Sequence, residues 1–420
     1  MFRTMSKYSL ERLAGDCAGG LIAALIALPY GLSMAALMGL PPILGVFTSV
    51  ISTPFVVLLG RNSLLMGGTA SATVPFIAGA VRAQGVGGAA KISIVASVFM
   101  MCFCIMRLGR QVSRVPIAVV AGFSAGIGAL MVISQLNVML GVHQSASEIP
   151  VVQLVSVLGQ ISQMHWLPLV LGCTVIVVAL LCTRISTRIP APLIGVAVAF
   201  FVGFLLHSRE AEVGSLHLAI PQFAGFSWTQ HDVVNLLPSG LMLAFVSSVN
   251  LLLTSRTIEH FRGRHKPLLR ADSDAEVGAY GIANLAVGIF GAPMSVGIPA
   301  RSVAAIRCGA TTRFANVMHA IFLLLLVRYG SAALAHIPMA ALAGVTTYMG
   351  ISLLDIGTWR RLRKMHLCDA AGFLVTVIAV LVSNAVTAVI AGAGVYALHY
   401  AYKKYVRPLS LEAGAADRVA

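Results

Sequence analysis

Gly67-Gly68-Thr69-Ala70-Ser71-Ala72-Thr73-Val74-Pro75 is a short stretch of glycine, proline and small hydroxyl residues set between long apolar runs. Gly297-Ile298-Pro299-Ala300-Arg301-Ser302, more than halfway along the chain, has the same character. An ordinary membrane-spanning helix has no use for so many helix breakers. Two of them at matching places in two halves of a membrane chain point to broken helices around a site at the bilayer midplane.

Working outward from these stretches, the rest of the chain reads as membrane. Of 420 residues, 58% are hydrophobic and 10% charged, where a soluble domain carries about a quarter charged. The apolar residues form continuous runs, as in Gly19 to Leu28, Ile117 to Ile133, Leu167 to Leu181 and Leu193 to Leu206. Runs of about 20 residues cross the hydrocarbon core as helices, because lipid cannot satisfy an exposed backbone. The net charge of +15 does not indicate a nucleic-acid partner. The cations cluster in short loops, at Arg107/Arg110/Arg114, Arg184/Arg188, 256–270, Arg360 to Lys364 and Lys403/Lys404/Arg407, as positive-inside signals do. Intervening loops hold Glu148, Glu210, Glu212 and Asp232. Asp16 and Glu259 read as cap or surface charges at span ends. The seven cysteines read as packing residues, the scattered histidines form no metal set, and no nucleophile–base pair marks an enzyme.

With the basic loops cytoplasmic, spans fall at 15–38, 42–59, 68–81, 90–107, 116–140, 151–182, 190–207, 238–256, 276–291, 299–310, 314–330, 337–354, 367–383 and 385–402. The sixth is expected to include an interfacial piece before His165. The expected fold is an all-α membrane protein with fourteen transmembrane segments in two inverted seven-span repeats and both ends cytoplasmic. Its parts are a segment 1–13, a first repeat 14–207, a second repeat 238–405 and a tail 406–420. Each broken segment is third in its set of seven, and an odd count inverts the second set.

A helix beginning mid-membrane exposes unpaired N–H groups and about half a positive charge. Two such ends facing one another make an anion site. The candidate substrate-binding residues are Gly68, Thr69, Ala70, Ser71, Ala300, Arg301 and Ser302. Thr69, Ser71 and Thr73 offer hydroxyl donors, and Arg301 offers a full charge on a planar fork suited to oxyanions. The plainer alternatives are helix caps for Thr69 and Ser71, and a snorkelling or carboxylate-paired Arg301.

The chain resembles the sulfate permease family. The resemblance runs through Pro29-Tyr30-Gly31-Leu32-Ser33-Met34-Ala35 and Gly39-Leu40-Pro41-Pro42-Ile43-Leu44-Gly45. It continues in Gly67 to Ala70, Ala121 to Gly126, Ser134-Gln135-Leu136, Arg188 to Ile194, Gly281 to Asn284 and Ala300-Arg301-Ser302. It implies a uracil-permease-like architecture, in which a core of spans 1–4 and 8–11 moves against a gate of spans 5–7 and 12–14. It also implies a site between the starts of spans 3 and 10, with Tyr30 beside it, and a homodimer. Tyr30 stands where the family usually has glutamine. Asn250 stands where many bacterial members carry a carboxylate, and Asn384 and Val386 replace an acidic pair. The residues after Arg407 leave no room for the family's cytoplasmic STAS domain.

An amide at Asn250 cannot titrate, which disfavours proton symport through it. Asn250 and Thr254, four apart on one helix face, could serve a Na⁺ coupling ion, or simply bridge spans. The expected function is secondary transport of a small anion (sulfate, bicarbonate or a small carboxylate) by a multi-pass protein of the cell membrane, with no cofactor. An anion channel or exchanger and a nucleobase-type permease are the alternatives.

Overall fold

The computed structural model describes residues 9–108, 116–142, 149–186, 189–206, 212, 228–261, 270–383, 385–401 and 403. Helix α1 (Leu10–Leu37) starts where Ser9 accepts a hydrogen bond from the Arg12 N–H at 3.3 Å, satisfying one orphan donor of the first turn. At 28 residues it is long enough to exceed the roughly 30 Å hydrocarbon thickness. It is followed by α2 (Pro42–Leu59), strand β1 (Gly67–Thr69), a 3-10 turn at Ser71–Thr73, α3 (Val74–Gln84), α4 (Val86–Ile105) and α5 (Ile117–Leu140). Then come α6 (Pro150–Gly159), α7 (Trp166–Ile185), α8 (Ala191–Leu205), α9 (Gln230–Phe261) and α10 (Arg270–Ile289). Strand β2 (Ser295–Gly297) leads into α11 (Pro299–Arg307), α12 (Phe314–Ala335), α13 (Met339–Leu353), α14 (Ile356–Arg361), α15 (Leu367–Val382) and α16 (Ala385–Ala401). Among the described residues, eight stretches of helix are long and apolar enough to cross a membrane, so the protein is a helical membrane protein.

One feature refines the sequence expectation and two differ from it. The sixth span, expected over 151–182, is two helices: α6 ends at Gly159, a 3-10 turn covers Ile161–Gln163, and α7 starts at Trp166. Polar Gln160, Ser162 and Gln163 break the apolar run, and the His165 N–H ties back to the Leu140 carbonyl at 2.9 Å. The eighth starts at Gln230, not 238, because a capping box sets its first turn. The Thr229 hydroxyl accepts from the Asp232 N–H and Asp232 accepts from the Thr229 N–H, both at 3.1 Å, satisfying two donors reciprocally. Third, the fold is not purely helical: β1 and β2 form a two-stranded antiparallel ribbon. The basic loops at 109–115 and 262–269, Asn384 and the tail 406–420 lie outside the described residues.

The helices pack in two groups. In one, α4 lies against α10 and α9, α1 against α2, α11 and α12, and α2 against α10. In the other, α5 packs on α13 and α15, α7 on α8 and α13, and α15 on α16. The first group carries both broken segments and is stitched by buried and half-buried charges. Asp16 is a cap and not a surface charge: completely buried, it accepts the N–H groups of Thr311 (2.7 Å) and Thr312 (3.1 Å) and the Thr312 hydroxyl. Glu259 of α9, also read as a cap or surface charge, is buried as well. At the other end of the group, Asp232 joins three helices, receiving Lys91 Nζ of α4 at 2.9 Å and Gln84 Nε2 of α3 at 3.1 Å.

Lys91 and Thr229 hold the Asp232 carboxyl down to about 2, below the ordinary carboxylate value of about 3.9. A depressed value means that its contribution is complete above the unfolded pKa and is lost as pH falls through the folded one. Asp232→Asn is expected to lower the melting temperature at pH 7. The gap to the unsubstituted protein is expected to close as pH drops from about 4 toward about 2, read by thermal unfolding in detergent across that range.

Candidate functional site

The ribbon places the site. Gly67 pairs with Gly297, Gly68 with Val296 and Thr69 with Ser295, and the Ile298 N–H adds a bond to the Met66 carbonyl at 2.9 Å. The two broken segments therefore meet, β1 running through the 3-10 turn into the half-helix α3 and β2 through Ile298 into α11. Side chains complete the backbone account. Asn284 of α10 accepts from the Ser295 N–H at 2.7 Å and donates to the Ser295 carbonyl at 2.9 Å, acting as a third strand edge. Ser302 Oγ accepts from the Met66 N–H at 2.9 Å, and Thr69 donates to the Gly45 carbonyl at 3.1 Å.

The loop into β1 is held equally firmly. Arg313 caps the end of α2 with its fork, Nη1 to the Val57 carbonyl and Nη2 to the Gly60 carbonyl, both at 2.7 Å. Glu276 Oε2 accepts from the N–H groups of Arg61 (2.5 Å) and Asn62 (3.0 Å). Asn62 in turn donates to the Ser255 carbonyl of α9 at 3.2 Å.

Arg301 is 1% exposed, the largest fully buried side chain described. Its guanidinium lies behind the ribbon and is not turned toward headgroups. Nη1 donates to Ser49 Oγ at 3.0 Å and to the Gly67 carbonyl at 3.4 Å, and the carbon Cζ stands 5.3 Å from the centre of the Tyr30 ring, in cation–π range. Nε and Nη2 have no hydrogen-bond partner among the described residues. Tyr30 Oη accepts from the Ser71 N–H at 3.2 Å, so the ring bridges the arginine and the tip leading into α3. Gly68 is required here: a Cβ on it would collide with Arg301 Nη1 and Ser49 Oγ.

The sequence candidates thus gather at one place with different exposures. Gly68, Thr69, Ala70, Arg301 and Ser302 are buried, Ser71 is half-buried, and Ala300 with Pro299 is exposed. Helix geometry leaves the first N–H groups of α11 without partners in the helix. Pro299 has none and Ser302 N–H turns to the Ile298 carbonyl at 3.3 Å, which leaves those of Ala300, an exposed residue, and of the buried Arg301 at the tip. Asn250 and Thr254 of α9 also come together, Thr254 Oγ1 lying 3.4 Å from Asn250 Oδ1. Asn250 lines a crevice of about 50 Å³ with Ala72, Phe123, Ser124 and Val249.

Ser49, Asn284 and His319 were not legible as parts of this region. His319 is fully buried in α12, within electrostatic reach of Arg301, and both ring nitrogens are without hydrogen-bond partners among the described residues. It is neither at a span end nor in a loop. Its signal was a lone imidazole inside the apolar run 314–330.

The model of the sulfate permease family matches residues 13–379. The chain belongs to the sulfate permease family. Its members are transporters of anions, not enzymes. Among relatives, the bicarbonate transporter BicA of Picosynechococcus sp. is 28% identical over 408 residues, 93% of this chain and 70% of that one. YvdB of Bacillus subtilis, which is named as a sulfate transporter, is 25% identical over 385 residues, 88% of this chain and 71% of that one. The fold matches the transmembrane domain of a cyanobacterial BicA with a TM-score of 0.80 at 23% identity, covering 92% of this chain and 99% of that one. It also matches murine Solute Carrier 26 family member A9, an anion transporter in its inward-facing state, with a TM-score of 0.85 at 17% identity, covering 95% and 70%. The sulfate permease motif at Gly281 to Asn284 has a physical role in this chain, since Asn284 completes the ribbon.

Gly68→Ala is expected to push Arg301 off Ser49 and the Gly67 carbonyl, an overpacking cost of about 1–3 kcal/mol. Both a lower melting temperature and weaker anion uptake are expected, whereas Ser49→Ala, which removes a single hydrogen bond, should do less on both measures.

Proposed function

We propose that the chain is a secondary active transporter of a small oxyanion, sulfate or bicarbonate, which binds where the tips of α3 and α11 meet. The observation that carries this reading is the β1–β2 pairing, which brings two half-helix N-termini together over the buried charge of Arg301. The tips offer N–H donors and partial positive charge. Arg301 adds to the field from behind the ribbon, while Ser71 and the N–H of Ala300 make the direct contacts. The names of BicA and YvdB support bicarbonate and sulfate as substrates.

Fourteen crossings are assigned to α1–α5, α7–α13, α15 and α16, with α6 and α14 lying along the membrane surface. They divide after α8 into two inverted repeats, with both termini cytoplasmic and the protein in the cell membrane. The group holding α1–α4 and α9–α12 slides against the other in an elevator-like cycle. Asn250 and Thr254 take the coupling-ion position for Na⁺, with anion exchange the other coupling mode, and two copies form a homodimer. A nucleobase permease is disfavoured by a guanidinium, not a carboxylate, at the α11 tip. A channel would use the same site without a cycle.

Uptake of labelled sulfate and bicarbonate into proteoliposomes, with and without a Na⁺ gradient, tests the reading. Arg301→Ala is expected to lower uptake about ten-fold or more, since a full charge near the anion in a dry site is lost. Arg301→Lys keeps the charge without the fork and is expected to recover part of it. Unchanged kinetics in a folded Arg301→Ala protein would refute the assignment, and ion currents far above carrier turnover would make it a channel.

A further inference from the structure

The link between α13 and α15 lies at the ends of two apolar helices. α13 stops at Leu353, α14 and a 3-10 turn fill Ile356–Lys364, and α15 begins at Leu367. Two apolar side chains fix the link against its neighbours. The Trp359 ring stands edge-on to Phe373 of α15, with centroids 5.1 Å apart, and Leu362 packs on the cluster of Ala118, Phe373 and Val377. Ile356, Trp359 and Arg360, three and four positions apart, share one face of α14. Ile356, Trp359 and Leu367 are nevertheless exposed. Tryptophan beside aliphatic and cationic groups is the composition of a segment lying at the boundary between acyl chains and headgroups.

The same link holds four cations in five consecutive positions, Arg360, Arg361, Arg363 and Lys364, all exposed. Among the described residues none of the four has a hydrogen-bond or ion-pair partner. The two carboxylates nearest in sequence are engaged elsewhere, Asp355 by the Thr358 hydroxyl and Asp369 by the Tyr396 hydroxyl. Arg184, exposed near the end of α7, adds a cation at the same end of this helix group, since Ala179 of α7 and Tyr348 of α13 share one packed cluster shortly before both helices end. Clustered cations without internal counter-charges, carried on a segment beside the membrane, have their complement in headgroup phosphates. A soluble acidic partner would leave Ile356, Trp359 and Leu367 uncovered, whereas a phospholipid covers them with its chains.

We propose that α14 and the turn after it form a binding surface for anionic phospholipid, with the three guanidinium groups and Lys364 on headgroup phosphates and Trp359 at the top of the acyl chains. The surface belongs to the helix group that the proposed cycle leaves in place, and it does not depend on which anion is carried.

Trp359 is the probe. Trp166→Phe and Trp228→Phe leave it as the one tryptophan, so its fluorescence reports the lipid beside it. The full chain is placed in nanodiscs with a fixed minority of phosphatidylglycerol in phosphatidylcholine. The same amount of chain-bound bromine, a contact quencher, is carried by phosphatidylglycerol in one sample and by phosphatidylcholine in the other. Phosphatidylglycerol is expected to sit beside Trp359 on the order of five-fold more often, the effect of about one fully effective cation. Raising NaCl from about 0.1 to about 1 M, which shortens the Debye length from about 10 to about 3 Å, should collapse the preference. Changing all four cations, Arg360→Gln, Arg361→Gln, Arg363→Gln and Lys364→Gln, should abolish it. Either pair alone, 360 with 361 or 363 with 364, should lower it. Arg328→Gln, at an exposed cation of α12, should leave it unchanged.

Equal quenching by the two lipids, or a preference that survives the four glutamines, would overturn the lipid surface. A preference lost just as fully in Arg328→Gln would trace it to the overall charge of the protein and overturn the surface too. If poly-glutamate protects Trp359 from bromine while phosphatidylglycerol is not enriched, the cations serve a protein partner and the proposal fails. Uptake of sulfate or bicarbonate has no part in the readout, so failure here leaves the transport reading standing, and failure of transport leaves the lipid surface standing.

Discussion

Backbone amide groups at the middle of a bilayer have no water to bond with, and each one left unpaired costs several kcal/mol. The two broken segments answer this constraint by pairing with each other as β1 and β2. Nothing else in the fold explains as much. Pairing unwinds the chain at the depth where two helices must begin, and fixes their tips opposite one another. It also accounts for the polar residues around it: Asn284 serves Ser295, Ser302 serves Met66, and Thr69 serves Gly45.

The charge behind the ribbon follows from the same geometry. Arg301 sits in the first turn of α11, so its side chain turns back toward the strands and reaches Ser49 and the Gly67 carbonyl. The glycine at 68 makes room for it. In the proposed site, a guanidinium enclosed in this way would act on the anion through its field, which would leave the direct contacts to the half-helix tips and Ser71. Tyr30 couples the two parts, with its ring near the guanidinium and its hydroxyl on the Ser71 N–H.

Carboxylates that accept backbone N–H groups set the two helix groups apart among the described residues. Asp16, Glu276 and Asp232 each accept backbone N–H groups of a turn or helix start, and all three staple the group that carries the ribbon. Satisfied carboxylates at helix starts favour the dipole and remove orphan donors together. A group held by such bonds is suited to move as one piece, which the proposed transport cycle requires, while α1 meets α8 and α13 of the other group across their boundary.

Hydropathy and helix breakers are local properties, and they were enough to establish a membrane protein, the two interrupted segments, and Arg301 as the charge beside them. Local pattern also marked a break ahead of His165. What the tertiary structure alone decided is which atoms those segments meet. Gly67 and Arg301 are 234 positions apart, and no periodicity links a serine in α2, an asparagine in α10 or a histidine in α12 to either of them. The enclosure of Arg301 and the strand pairing depend on several helices packing at once, because only a closed set of neighbours removes water and makes each remaining polar group find a partner.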